Sequence, residues 1–314
     1  MSLVVSKPGI LTTVQDLGRT GYRSLGINPG GVMDRAAARL VNTLLGSDAS
    51  EAVLEMHFPA GEFVFETEIS FAIGGADLGA SLNGKAIRNW SVATANKGDV
   101  LRFAERYTGN RAYLGIAGGF RIDQWLGSKS TNLVASAGGF FGRKLAAGDR
   151  IEFAEPRKVS LKTVGPSIVP RYSRFPTVRI IAGAEFDLLT GIDEGRFLNS
   201  AFTVTGESNR MGYRLSGEPL HLLDAKEMVS AAVSFGTIQL LPDGQLIVLM
   251  ADHQTSGGYP RIANVIEADL PLLAQLGPGD GVSFHLVTME EAERAILEFE
   301  RELNILRVGV ALNR

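Results

Sequence analysis

Apolar residues fall in short runs along this chain, and many of the runs stop at glycine. They include SFAIGG (70–75), RAYLGIAGG (111–119), TVRIIAG (177–183), GTIQLL (236–241) and QLIVLMA (245–251). Short apolar runs with β-branched residues, bounded by turn formers, read as strands. Too few helical segments separate them for a regular βαβ pattern. The pattern therefore predicts a mainly β chain with a few helices, built as barrel-like units. One phrase recurs: GDVLRF at 98, GDRIEF at 148 and GDGVSF at 279. Each pairs a Gly-Asp turn with an alternating strand, and the three are read as equivalent hairpin starts in related β units. Two helices stand out. One follows Asp34, with Ala37, Leu40, Val41, Leu44 and Leu45 on one face before Gly46. The other follows the capping box Thr288–Glu291, with Ala292, Ile296, Phe299, Leu303 and Leu306 at spacings of three and four. Short helices are expected after Asp269 and around Ala184–Leu189. The stretch 154–177 carries four prolines and little periodicity, which suits a linker. Two domains follow, an N-terminal β-barrel domain over 1–160 and a C-terminal one over 161–314.

Composition narrows the function. Hydrophobic residues make up 45% and charged residues 21% of 314 residues, with a net charge of −3. No basic run provides the electrostatic footprint of a nucleic-acid binder. No apolar run is long enough to span a bilayer, which takes about 18 residues or more, and MSLVVSKPGI lacks the layout of a signal peptide. The expectation is a cytoplasmic protein with neither nucleic-acid nor membrane partners. The absence of cysteine removes thiolate catalysis, zinc–thiolate sites and disulfides together.

Most motif-like stretches have a structural reading. GASLNGKA (79–86) approaches a phosphate loop, but Ala86 stands where a magnesium-binding hydroxyl is needed. Asn83-Gly84 is instead the favoured dipeptide of a tight hairpin. His57, His221, His253 and His285 lack a second ligand at metal spacing, so no metal site is expected. Neither H-E-x-x-H nor a G-x-S-x-G elbow occurs.

Three polar concentrations remain. Residues 11–34 hold Gln15, Asp16, Arg19 and Arg23 among glycines. A structural loop stapled by an Asp16–Arg19 pair competes with a site in which Arg19 clamps a carboxylate. GESNRMGYRLSG (206–217) offers Asn209 and Arg210 to an amide or carboxylate ligand, against a plain turn with Asn209 left-handed. DHQTSGGYPR (252–261) follows directly on a greasy strand. Asp252, Gln254 and Thr255 are thereby placed by rigid structure, Gly257-Gly258 permit close backbone approach, and Tyr259 adds a ring and a hydroxyl.

GILTTVQDLGRTGYR, GGVMD, ESNRMGYRLSG and LMADHQTSGGYPRIANVIEADLPLLAQLGPGD together resemble, in order, the biotin-dependent carboxyltransferase-like family. That family includes the C subunit of 5-oxoprolinase, proteins labelled allophanate hydrolase subunit 2, and the second half of the carboxyltransferase region of urea carboxylase. The resemblance implies a cyclophilin-like β-barrel architecture. It also implies two partners, the smaller, cyclophilin-like B subunit and the A subunit, in ATP-dependent opening of 5-oxo-L-proline to glutamate. Two other activities exist among relatives: carboxyl transfer from biotin to urea, and non-enzymatic regulation of a sensor-kinase inhibitor. The family's QTTGGYP reads QTSGGYP here, so Ser256 keeps a hydroxyl. His253 stands where relatives vary, which lowers interest in it.

This chain has no biotin-attachment sequence, so biotin would have to come on another chain. The 5-oxoprolinase reading is therefore favoured, with ATP held by this chain or by a partner. Arg19 or Arg210 would bind the substrate carboxylate, and Gln15, Asn209 or Gln254 would read the lactam. Gly257 and Gly258 would supply oxyanion donors, Thr255 and Tyr259 would contact substrate, and Asp16 or Asp252 would activate water.

Overall fold

The computed structural model describes residues 1–160, 162–223 and 228–312. The chain is mostly β and forms two compact units. One comprises Met1–Arg19, Gly30–Tyr172 and Phe299–Arg314, and the other Thr20–Pro29 and Ser173–Glu298. The expected boundary at 160/161 falls inside the 30–172 segment, and the chain passes from one unit to the other at 19/20, 29/30, 172/173 and, within its last helix, 298/299.

The first unit is a pair of sheets. One has six strands, in the order 150–152, 2–7, 62–65, 100–103, 80–82 and 85–86; the other has five, in the order 12–15, 53–57, 108–116, 69–77 and 92–95. Leu3, Phe63 and Phe65 of the six-stranded sheet share one core with Leu54, Phe71, Ile73 and Leu114 of the other. The opposite face of the five-stranded sheet, with Val53, Ala72 and Tyr113, is covered by helix α1 (Arg35–Leu44). Burial on both faces explains why SFAIGG reads as a continuous apolar run. Glycine lets the helix close down. A Cβ on Gly115 would lie 2.5 Å from Val41 and one on Gly74 would lie 2.7 Å from it.

Asp34 caps α1 as expected, accepting from the Ala37 N–H at 2.8 Å while Tyr172 donates to its other oxygen at 2.7 Å. Such a cap contributes about 1 kcal/mol. The proline-rich stretch read as a linker packs in this unit up to Tyr172. The Val159 N–H donates to Ser70, the Val92 N–H to the Lys162 carbonyl and the Val164 N–H to the Trp90 carbonyl. Proline removes its own donor only, and the amides between the prolines complete a sheet edge.

The second unit is a closed seven-stranded barrel, ordered 177–182, 261–265, 237–240, 246–249, 212–216, 202–204 and 281–286. A two-stranded ribbon joins Ala231–Ala232 to Ser256–Gly257. The helix expected around Ala184–Leu189 is a 3₁₀ turn over Phe186–Leu188, and the α-helix follows at α2 (Gly191–Asn199). Its signal was the cap: Thr190 accepts from the Asp193 N–H at 3.1 Å. The other helices are α3 (Leu270–Ala274) and α4 (Met289–Leu312). The capping box at the start of α4 forms, with Thr288 N–H to Glu291 at 2.8 Å and Glu291 N–H to Thr288 at 3.2 Å.

The three Gly-Asp phrases fold alike. Gly98, Gly148 and Gly279 have φ of 91°, 88° and 85°. Asp99, Asp149 and Asp280 each accept the N–H three residues back, at 2.7, 2.7 and 2.9 Å. The expectation of hairpin starts is corrected in one respect. Each following strand pairs with a distant earlier strand, 62–65, 2–7 or 202–204, rather than with the strand before it. The phrase is a turn that launches a long-range antiparallel pairing. The near-miss phosphate loop is a hairpin, with Asn83 at φ 52° and Gly84 at φ 80° between strands 80–82 and 85–86.

Candidate functional site

The sequence-selected residues fall into two groups, one in each unit. In the first unit Gln15 ends strand 12–15 and Asp16 and Arg19 follow it. Asp16 does not pair with Arg19. Its carboxylate accepts from the Gly18 N–H (2.8 Å), the Ser128 hydroxyl (2.6 Å), the Lys129 N–H (2.6 Å) and the Ser130 hydroxyl (2.5 Å). Three of these neutral donors fix the loop 128–130 against the strand end, and the Gly18 N–H closes a local turn. Arg19, only 2% exposed, donates to the Ser130 carbonyl at 2.6 Å and lies 4.7 Å from the centre of the Trp125 ring. A cation over an aromatic face contributes about 0.5–2 kcal/mol. Gln15 is fully buried and donates to Thr13 and to the Thr131 carbonyl. Ser128, Ser130 and Trp125 were not selected from sequence. They lie more than a hundred residues away, and only the fold brings the two serines to Asp16 and Trp125 to Arg19.

In the second unit the loop 252–261 is fastened at both ends. At its start Asp252 meets the guanidinium fork of Arg210, with Nε to Oδ2 at 2.8 Å and Nη2 to Oδ1 at 2.9 Å, both side chains buried. The backbone repeats the link, since the Asp252 N–H donates to the Arg210 carbonyl at 2.8 Å. Asn28 donates to the Asp252 carbonyl at 2.8 Å. At the loop's end Arg261 forks onto Glu185, with Nε to Oε2 at 3.0 Å and Nη2 to Oε1 at 2.7 Å. Hydrogen bonding from Arg261 holds the Glu185 carboxyl below its usual range, against the opposing effect of burial. Glu185, Asn28 and the buried Gln239 escaped sequence reading, because nothing local marks a side chain as a partner of a loop far along the chain.

Between the fasteners the chain opens to solvent. Gln254 and Tyr259 are exposed, and Thr255, Gly257 and Gly258 are half-buried. Gln239 donates to the Tyr259 carbonyl at 3.1 Å. A Cβ on Gly257 would sit 2.7 Å from the Gln239 amide nitrogen, so a larger residue there would displace the Gln239 amide. His253 is 1% exposed, its Nδ1 lying 2.5 Å from the Gln254 carbonyl. Asn209 is exposed and its carbonyl oxygen accepts the Met211 N–H at 2.8 Å. Its φ is negative, so the left-handed turn allowed for it does not form. Among the described residues no cluster of His, Asp and Glu is disposed to hold a metal ion. No described helix is long and apolar enough to cross a membrane.

Fold and loops together define a two-unit, mostly β protein that presents polar residues from loops pinned by buried carboxylates. Residues 25–286 match the family described as carboxyltransferase domain, subdomain A and B, and the chain belongs to that family. It is 36% identical over 295 residues to a Haemophilus influenzae protein named as the C subunit of 5-oxoprolinase, covering 94% of each chain. It is 36% identical over 299 residues to the Escherichia coli protein of the same name, covering 95% of this chain and 96% of that one. It superposes on the crystal structure of the K. lactis urea amidolyase with a TM-score of 0.92 and 28% identity, covering 97% of this chain but 20% of that one.

Proposed function

We propose that this chain is the C subunit of an ATP-dependent 5-oxoprolinase, opening 5-oxo-L-proline to L-glutamate together with partner subunits. The observation that carries this reading is the near full-length 36% identity to two proteins of that name. The site we assign to the substrate lies on the exposed middle of loop 252–261. The Gln254 side-chain amide matches the lactam, since each presents one donor side and one acceptor side. The NH₂ of Asn209 is a further lactam donor, its oxygen being committed to Met211. The Gly258 N–H, which has no acceptor within the described protein, is the donor we assign to a developing oxyanion. Thr255 and Tyr259 supply hydroxyls beside it.

Asp252 and Arg210 are assigned as positioning residues rather than as base and carboxylate clamp, because each occupies the other's hydrogen-bonding face. Asp16, with four donors, and the buried Gln15 and Arg19 hold the corresponding loop in the first unit. The stretch nearest to a phosphate loop is a hairpin, so we place ATP on a partner, either the cyclophilin-like B subunit or the A subunit. The test is ATP-dependent glutamate release from 5-oxoproline by the chain purified with those partners. Turnover that requires this chain supports the reading, and none with all subunits present overturns it. A second reading, carboxyl transfer in a urea carboxylase system with biotin brought by another chain, is favoured by the TM-score of 0.92. It predicts bicarbonate-dependent ATP use when urea and a biotinylated carrier are added.

A further inference from the structure

We propose that the first unit carries a second binding site, for a small organic carboxylate, formed by the backbone of Gly138–Phe141 beside Arg19 and walled by Trp125. Trp125 and Gly138–Phe141 line a cavity of about 410 Å³ that opens to solvent, with Arg121 and Asp123 at its rim. The loop Ser136–Gly142 is held in an unusual conformation. Gly138, Gly139 and Gly142 have φ of 67°, 54° and 66°, and two non-glycine residues, Ser136 (49°) and Phe141 (55°), share the left-handed region. A left-handed residue with a side chain costs about 1–2 kcal/mol. Phe141 is 81% exposed, its ring meeting only the edge-on ring of Phe140 at 4.7 Å between centroids among the aromatic contacts of the described residues.

The glycines are there because the loop lies hard against its neighbours. A Cβ on Gly138 would meet the Ser130 carbonyl at 2.4 Å, and one on Gly139 would meet Thr131 at 1.9 Å. The same ideal Cβ on Gly138 lies 3.4 Å from Nη2 of Arg19, so the loop runs directly over that buried cation. The φ sign alternates from Gly139 through Phe140 to Phe141. Alternation between right- and left-handed backbone is one way a chain gathers successive N–H groups into an anion-binding concavity. The N–H groups of Gly138, Gly139, Phe140 and Phe141 have no acceptor within the described protein, whereas those of Gly142 and Arg143 are used.

A carboxylate fits better than a polyphosphate. Among the described residues Arg121 is the single cation lining the cavity, and Asp123 stands with it, whereas polyphosphate sites gather several cations or a metal. The Trp125 face, backed by the Arg19 guanidinium, suits the flat or apolar body that bears the carboxylate. The proposal stands independently of the reaction assigned above.

The test is a titration of the ¹⁵N-labelled full chain with 5-oxoproline, glutamate, 2-pyrrolidinone and inorganic phosphate, following the amides of residues 138–141 and the Trp125 indole. The expected result is saturable shifts of these signals with one or both carboxylates and none with 2-pyrrolidinone. Trp125→Ala should weaken binding about tenfold while the other amide signals stay in place. Saturable shifts confined to other residues, equal response to 2-pyrrolidinone, tighter binding of phosphate, or no response to either carboxylate would overturn the proposal. A bound carboxylate without glutamate release from the assembled complex would sink the functional reading and leave this site standing; turnover without these shifts would do the reverse.

Discussion

Two polar clusters, one per unit, are built around a carboxylate at a strand end, and they treat it differently. Asp16 spends its oxygens on hydroxyls and amides of residues 18 and 128–130. Asp252 spends both on the fork of a buried arginine. The first arrangement fastens a loop and leaves the carboxylate's charge uncompensated by its direct partners. The second fastens a loop and neutralises the charge, which is what its deeper burial requires. In both, the residues that look most reactive in the sequence are the ones most committed to holding the chain. The groups left over are Gln254 and Tyr259 in one unit and unused backbone amides in the other. Polar density thus marks where a loop is fixed, and exposure between the fixed points marks where it can work.

The comparison breaks most severely at the neutralised carboxylate. Arg210→Ala leaves Asp252 buried without its fork and should lower unfolding free energy by about 3–5 kcal/mol, measured by urea denaturation. A loss under about 1 kcal/mol would mean that the pair is not the fastener described. Asp16→Ala strands neutral donors rather than a buried charge, two of them the buried hydroxyls of Ser128 and Ser130, and should cost less, about 2–3 kcal/mol. If it costs more than Arg210→Ala, the ranking of the two anchors is wrong.

Acid sharpens the contrast at the far end of the loop. The Glu185 carboxyl is depressed in the folded state by its hydrogen bonds from Arg261. Its contribution is therefore fully present above the ordinary glutamate value, about 4.3, and is lost as pH falls through the lowered one. Glu185→Gln should be about 1–2 kcal/mol less stable than the parent at pH 7. The difference should shrink below about pH 4, and a constant difference across that range would argue against the pair. Smallest of all, Tyr259→Phe should change stability by no more than about 0.5 kcal/mol.

Much of this was legible in the chain. Alternation and glycine-bounded runs marked the strands 69–77, 108–116, 177–182, 237–240 and 246–249, and caps marked α1 and α4. Local chemistry also separated the Asn83-Gly84 hairpin from a nucleotide loop. What escaped was non-local. Glycines at 191 and 195 weaken the helical signal of α2, and the helix was read instead around Ala184–Leu189. The partners Ser128, Ser130 and Trp125 of the first cluster, and Glu185 and Gln239 of the second, are set by strand pairing across long sequence separations. The prolines of 154–177 suggested a linker because a pattern of side chains does not show which backbone amides find acceptors.

If loop 252–261 separates fastening from function, Gln254→Ala reveals it most directly. In the complex assembled with its partner subunits, glutamate release from 5-oxoproline should fall by about a hundredfold or more, the loss expected when a reacting group loses its positioning contact. The variant's urea midpoint should match the parent's to within about 0.5 kcal/mol. Undiminished turnover in a folded variant would contradict the account.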